Sequence, residues 1–174
     1  MIYQVTRVRL TLIINGFIVR THFLAQIAGP TADILRKAVI LLPVKSILLI
    51  DGSAQDRRHY SHILKVVSPN FLIFHASNRA DGLKIYRSQV IHCVIIELDL
   101  PDVSGVTLLK ELALLSRIPL FVLTRLSYPT IGEYAKKNGA TSTFVKKMTS
   151  DKFFQDTVLA ALVSGSVRSS TGKV

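Results

Sequence analysis

Apolar and polar residues follow one another in regular blocks between Lys45 and residue 163. Five short, nearly continuous apolar runs end in polar or charged residues, and each is followed by a longer segment in which apolar residues recur at helical spacing. Continuous apolar runs of this length are typical of strands that are buried on both faces, as in a parallel sheet. The pattern therefore predicts five strands and five helices in strict alternation, forming a doubly wound five-stranded parallel α/β sheet with helices on both faces.

The boundaries of these elements follow from the residues that begin and end them. Ser53 and Asp56 have the spacing of a capping box, in which the serine caps a helix and the acid reaches back. Gly139 is expected to end another helix in the left-handed conformation. The predicted strands are Ser46–Asp51, Phe71–Ala76, Val90–Leu98, Pro119–Thr124 and Thr141–Val145, and the predicted helices start near Ser53, Ala80, Val106, Pro129 and Thr149 or Ser150.

Polar residues mark the ends of the predicted strands. In a doubly wound sheet the carboxyl ends of the strands meet at one edge, beside the point where the strand order reverses, and functional groups collect there. The residues at these ends are Asp51, Glu97, Asp99, Thr124 and Lys146. Acids, a hydroxyl group and an amine that converge in this way form a chemically coherent set, so we expect the functional site at this edge.

The two ends of the chain lie outside this pattern. Residues 1–44 contain a ten-residue apolar run at positions 10–19, which is too short to span a membrane because a spanning helix needs about 20 residues. This extension is interpreted as an amphipathic anchor at a membrane surface, as a helix that binds a partner, or as the product of an over-long gene prediction. Residues 164–174 are small and polar, which indicates a flexible tail.

The net charge of +11 raises the question of nucleic-acid binding. More than half of this excess lies outside residues 45–163, and no predicted helix carries a run of basic residues suited to reading bases. A basic module for nucleic acid or membrane surfaces therefore stays the weakest of the functional alternatives, and specific nucleic-acid binding is not expected. The single cysteine, Cys93, lies in an apolar run and indicates a buried thiol in the reducing cytoplasm.

Five separated segments resemble the receiver domains of two-component response regulators. They are LLIDGSAQDRR, VIIELDLPDVSG, IPLFVLT, KNGATSTFVKK and KMTSDKFFQDTVLAAL, and they occur in the order of the family at compatible spacings. The resemblance covers residues 45–163. It implies a flavodoxin-like receiver fold and a cytoplasmic role in phosphorelay signal transduction.

The resemblance also assigns a role to the acids at the strand ends. In a receiver, an aspartate four residues before a turn proline takes a phosphoryl group from a sensor histidine kinase, with Mg²⁺ held by nearby acids. Counting back from Pro101 gives Glu97, which is a glutamate instead of an aspartate. Asp51 fills the first position of the family's acidic pair, and Gly52 stands at the second.

The remaining positions of the family's site are filled in part. Thr124 stands at the position of the hydroxyl group that binds the phosphate oxygens in the family. Lys146 stands at the position of the family's phosphate-binding lysine. Thr143 stands where an aromatic switch residue is usual, so the coupling through that ring is missing or altered.

Two departures from the family pattern bear on the same reaction. The extra methylene group of Glu97 moves its carboxylate outward by about 1.5 Å, and a misplacement of about 1 Å can slow a reaction about 100-fold. Gly52 lacks a carboxylate, so a Mg²⁺ site formed by Asp51, Glu97 and Asp99 is expected to be weak or lost. The sequence therefore favours a pseudo-receiver that is not an enzyme, needs no cofactor and signals by protein–protein contact without phosphorylation.

Several alternatives stay open at this point. Glu97 could reach Lys146 and Thr124 as a partial mimic of the phosphorylated state, or it could form a structural salt bridge with Lys146. A receiver that still accepts phosphate at Glu97 or Asp99 with Mg²⁺ is the competing function. The expected partner is a sensor histidine kinase or another signalling protein. The expected binding face combines the fourth helix, the fifth strand and the fifth helix, and it includes Tyr134, Lys137, Thr143, Lys147 and Lys152.

Overall fold

The computed structural model describes residues 7–14, 17–24 and 44–167, with the side chains of residues 44–163. The chain divides into two compact units, residues 1–43 and residues 44–174.

The first unit contains an antiparallel pair of strands, β1 (Arg7–Ile14) and β2 (Phe17–Leu24), in which Ile14 lies opposite Phe17. The apolar run at positions 10–19 is thus divided between two strands, while the other residues of the extension lie outside the described part of the chain and its three interpretations stay predictions. The sequence contains a signal for this strand pair, although the signal lies within the apolar run. Asn15-Gly16 interrupts the run, and this dipeptide between apolar segments is typical of two-residue hairpin turns.

The second unit confirms the prediction of five strands and five helices in alternation. In chain order, the elements are β3 (Ser46–Ile50), α1 (Ala54–Val67), β4 (Leu72–Ala76), α2 (Arg79–Ser88), β5 (Cys93–Ile96), α3 (Gly105–Leu115), β6 (Leu120–Thr124), α4 (Ile131–Lys137), β7 (Ser142–Val145) and α5 (Asp151–Val167). Strand β5 is shorter than predicted. Val90 lies outside it with an exposure of 76%, and at the other end the chain turns after Ile96, where the carboxylate of Glu97 accepts a hydrogen bond from the N–H group of Leu98.

The five strands form one parallel sheet in the order β4-β3-β5-β6-β7. The chain runs from β3 to β4 on one side and then crosses to β5 on the other side of β3. The strand order therefore reverses between β3 and β5, which confirms the doubly wound topology. The carboxyl ends of these two strands are where this type of sheet places its functional groups.

Two apolar cores cover the two faces of the sheet. On one face, residues of α2, α3 and α4 pack against alternate strand residues, among them Leu48, Ile50, Val94, Ile96 and Val122. On the other face, residues of α1 and α5 pack against the intervening strand residues, among them Ile47, Leu49, Ile95, Phe121 and Phe144. Because successive residues of a strand point to opposite faces, burial on both faces explains why the strands are continuous apolar runs in the sequence.

The end of α4 requires a glycine, as predicted. The helix ends at Lys137, and Gly139 follows with φ = +102°, a conformation that L-amino acids rarely adopt. A Cβ atom at this position would also lie 2.4 Å from the Cβ atom of Ala113 in α3. Among the described residues, no helix has the length and apolar character needed to cross a membrane.

Candidate functional site

The carboxyl ends of four neighbouring strands bring Asp51, Glu97, Thr124 and Lys146 together. The register of the sheet causes this convergence. Ile50 pairs with Ile96 and Thr124 pairs with Val145, so the next residues, Asp51, Glu97 and Lys146, leave the sheet at the same edge. All four side chains belong to buried residues. Charged residues are buried this deeply only when they are paired, so their contacts define the site.

The ammonium group of Lys146 lies at the centre of the site. Its Nζ atom is 2.6 Å from Asp51 Oδ2, 2.6 Å from Glu97 Oε2 and 2.8 Å from Asp56 Oδ2. An ammonium group has three N–H donors, so these three carboxylates satisfy it fully. The side chain is only 4% exposed. Burial alone would lower the pKa of Lys146, but the bonds to Asp51, Asp56 and Glu97 outweigh it and raise the pKa above its ordinary value.

Both oxygens of the Glu97 carboxylate are engaged. Oε2 pairs with Lys146, and Oε1 accepts hydrogen bonds from the N–H groups of Leu98 at 2.7 Å and of Asp99 at 3.2 Å. The carboxylate is thus held inward against the first residues of the loop that follows β5. No hydrogen bond joins it to the hydroxyl group of Thr124 in the described part of the chain, where that hydroxyl accepts a bond from the N–H group of Leu126 at 3.2 Å.

Asp51 is fixed by the start of α1. Its Oδ1 atom accepts a hydrogen bond from the N–H group of Ser53 at 2.8 Å, while Oδ2 pairs with Lys146. The guanidinium group of Arg57 donates to the main-chain oxygen of Asp51. The carboxylate and the carbonyl group of this residue are therefore both occupied by groups of the chain itself.

Asp56 belongs to the site, although its spacing from Ser53 predicts a role in helix capping. Ser53 Oγ does accept a bond from the N–H group of Asp56 at 3.2 Å, but the Asp56 carboxylate binds Lys146 and, at 2.7 Å, the guanidinium group of Arg125. Burial opposes the charge of Asp56, but the bonds to Lys146 and Arg125 lower its pKa. One sequence signal could have identified it. An acid in the first turn of a helix that starts at the carboxyl end of β3 lies at the functional edge of the sheet.

Two of the residues predicted for the site lie apart from this cluster. Asp99 is exposed, and its carboxylate forms no ion pair with Lys146. Thr143 lies in β7, and its hydroxyl group is buried without a hydrogen-bond partner. The structure therefore brings together Asp51, Glu97 and Lys146, places Thr124 beside them, and adds Asp56.

The residues of the site do not fit a magnesium ion. Mg²⁺ requires near-octahedral oxygen ligands and usually keeps several of its waters. Here one oxygen of each of three carboxylates is turned towards an ammonium group, and Gly52 contributes no carboxylate. Asp99, the third ligand expected from the sequence, is exposed. Among the described residues there is no group of three or more His, Cys, Asp or Glu side chains arranged to hold a metal ion.

Comparisons with known proteins agree on one family. Residues 47–157, more than half of the chain, match the family model of the response regulator receiver domain. No curated protein sequence gave a significant match.

Solved structures show the same fold. The chain is similar to a CheY-like response regulator receiver domain from Methanospirillum hungatei, with 16% identity, a TM-score of 0.65, and coverage of 72% of this chain and 99% of the other. It is similar to the signal receiver domain of an HD domain-containing protein from Pseudomonas fluorescens, with 19% identity, a TM-score of 0.65, and coverage of 72% and 99%. A receiver domain from Clostridium thermocellum gives 20% identity, a TM-score of 0.63, and coverage of 71% and 98%. The topology, the site at the switch point and the family match lead to one conclusion. The chain belongs to the response regulator receiver domain family.

Proposed function

We propose that this receiver domain works in a phosphorelay as a pseudo-receiver, which signals by protein–protein contact and does not itself accept a phosphoryl group. The state of the Glu97 carboxylate carries this proposal. A nucleophile must present a free lone pair in line with the phosphorus atom. Glu97 is buried, one of its oxygens pairs with Lys146, and the other accepts two main-chain N–H groups.

The surroundings of Glu97 support the same proposal. Phosphoryl transfer in this family uses a metal ion that neutralises charge on the transferred group. The carboxylates that would serve this purpose, Asp51 and Glu97, are bonded to Lys146 instead. We therefore assign the domain no enzymatic activity of its own and no metal cofactor.

The contacts of Glu97 favour a structural salt bridge over mimicry of phosphorylation. A phosphoryl group on the acceptor would contact both the lysine and the hydroxyl group of the site. Glu97 contacts Lys146, whereas the Thr124 hydroxyl group accepts its bond from the main chain. A partner should therefore bind the wild-type domain and its Glu97→Gln and Glu97→Asp variants with similar affinity. A loss of binding confined to these two variants would support mimicry.

The test of the main proposal is incubation of the protein with acetyl phosphate and Mg²⁺, followed by intact-mass measurement. A phosphorylatable receiver domain treated in parallel shows that the reagent is active. We expect no increase in mass for the present chain. A stable phosphoryl adduct that disappears in Glu97→Gln would contradict the proposal. An adduct that disappears in Asp99→Asn would instead assign phosphorylation to the exposed carboxylate of Asp99.

The partner of such a domain is a signalling protein, and we place the contact on the face formed by α4, β7 and α5. Exposed apolar side chains lie on or beside these elements, namely Tyr134, Met148 and Phe153. Lys137 is the last residue of α4, and Lys147 lies in the segment between β7 and α5. Both are exposed, and their positive charges favour an acidic partner surface. We expect this contact in the cytoplasm, with a sensor histidine kinase or another phosphorelay protein. Charge reversal by Lys137→Glu should then weaken binding more at low salt than at high salt.

A further inference from the structure

The position of the Lys146 ammonium group among three carboxylates carries a second inference about the same site. We propose that this ammonium group takes the place of a divalent cation and that Asp56 supplies the third carboxylate, so that the domain folds and binds its partners without Mg²⁺. The inference deepens the proposed function and rests on it in part. It can nevertheless fail separately, because cation binding and phosphate uptake are measured independently.

The arrangement of ligands around Lys146 Nζ is that of a bound cation. The three oxygens come from three places in the fold: the end of β3, the first turn of α1 and the end of β5. Each lies between 2.6 and 2.8 Å from the nitrogen atom, which is the length of a strong charged hydrogen bond. A metal ion that used the same oxygens would have to displace the ammonium group.

Asp56 compensates for the acid that is missing at position 52. A Cβ atom on Gly52 would lie 3.2 Å from Pro101 Cδ, so the chain packs closely at the place where the family carries its second acid. The replacement carboxylate arrives from α1 and points at Lys146. Because it also binds Arg125, Asp56 connects α1 with the residue that follows β6.

The charges of the site are balanced without a metal ion. Three carboxylates, those of Asp51, Asp56 and Glu97, face the ammonium group of Lys146. Two guanidinium groups lie at the rim: Arg125 binds Asp56, and Arg57 binds the main-chain oxygen of Asp51. A divalent cation added to this set would leave an excess of positive charge in a poorly hydrated site, which is unfavourable.

The experiment compares the response of the native chain and of variants to Mg²⁺ alone. Thermal unfolding and the amide signals of the NMR spectrum are recorded as MgCl₂ is added up to millimolar concentration. The native chain should show no change in its unfolding midpoint and no saturable shift at Asp51 or Glu97. Lys146→Met keeps a side chain of similar length but removes the charge. It should bind Mg²⁺ saturably, at least about tenfold more tightly than the native chain, with a rise in its unfolding midpoint.

Two further variants assign the effect to the named residues. Lys147→Met removes the charge of the next residue, which is exposed, and its response to Mg²⁺ should equal that of the native chain. Lys146→Met combined with Asp56→Asn should lose the gained affinity, since only two carboxylates remain.

Three results would overturn the inference. The first is saturable Mg²⁺ binding by the native chain at Asp51 and Glu97. The second is a folded Lys146→Met variant that does not respond to Mg²⁺. The third concerns the case in which Lys146→Met is unfolded in the absence of the ion. Mg²⁺ should then restore the folded signals of this variant, and a failure to restore them would overturn the inference. Phosphate uptake measured by mass tests the proposed function independently of all three.

Discussion

The pairing of Glu97 with Lys146 should be measurable as a coupling in the free energy of unfolding. The perturbation is a double-mutant cycle made of Glu97→Gln, Lys146→Met and the double variant. At an effective dielectric constant of about 20, the attraction of unit charges that are 2.6 Å apart is about 6 kcal/mol. Desolvation opposes it by several kcal/mol for each ion, so the net contribution of the pair is small although the loss of one partner is costly.

The structure sets the expected size of each step in the cycle. Lys146→Met leaves three carboxylates, two of them buried, without their counter-ion and should destabilise the domain by about 3–5 kcal/mol. Glu97→Gln should cost about 1–3 kcal/mol, because Lys146 keeps Asp51 and Asp56 as partners. The double variant should be more stable than the sum of the two changes predicts, by about 1–3 kcal/mol, because one of the repelling carboxylates is gone.

Urea unfolding at neutral pH, monitored by far-ultraviolet circular dichroism, gives the free energy of unfolding of the native chain, the two single variants and the double variant. The chain contains no tryptophan, so tryptophan fluorescence cannot serve as the signal. Lys147→Met is the matched control and should change the stability by no more than about 0.5 kcal/mol. If the destabilisations of the two single variants add within about 0.5 kcal/mol in the double variant, Glu97 and Lys146 are not coupled and their ion pair does not exist in solution.

Three further predictions follow from individual residues. Gly139→Ala should lower the unfolding midpoint, because the φ of Gly139 is positive and a methyl group would meet Ala113. Gly132→Ala in α4 has open space around the new methyl group and should raise the free energy of unfolding by about 1 kcal/mol. Thermal unfolding of the two variants in parallel checks both expectations. The pKa of Asp56 is lowered in the folded chain, so its contribution to stability is present above the ordinary value of 3.8 and is lost as the pH falls through the lower folded pKa. Asp56→Asn should therefore make the unfolding midpoint less sensitive to acid, and an unchanged acid profile would contradict the assignment. Cys93 is fully buried and its pKa is raised by burial, so a thiol reagent should label it only after unfolding; rapid labelling of the native chain would show that the sheet opens.

The strands and helices could be predicted because their burial leaves a direct trace in the sequence. Strand β3 is apolar throughout since both faces of the sheet are covered, and the acid that follows marks its end. The amino-terminal segment carries a different signal. Its apolar run at positions 10–19 contains Asn15-Gly16, a dipeptide that commonly reverses the chain between two strands.

The candidate site could be predicted only in part, for reasons that differ between residues. Asp51, Glu97 and Lys146 could be predicted because each directly follows the last residue of a strand. Residues two apart share a face of a strand, which predicts Asp99 beside Glu97, but the chain leaves the sheet after Ile96 and the alternation stops there. For Asp56 two sequence signals compete. Its spacing from Ser53 fits local capping, whereas its place in the first turn after β3 indicates the functional edge, and the packing of α1 against the sheet brings its carboxylate to Lys146.

The hydrogen bonds of Glu97 could not have been read from the sequence at all. They depend on how the main chain turns after β5, which points two successive N–H groups back at the carboxylate. The extra methylene group of glutamate makes this contact compatible with the contact to Lys146. The glutamate at this position thus gives the buried charge a complete set of partners. The attraction to Lys146 offsets the desolvation of the buried Asp51 and Glu97 carboxylates, so the fold can retain them whether or not they take part in a reaction.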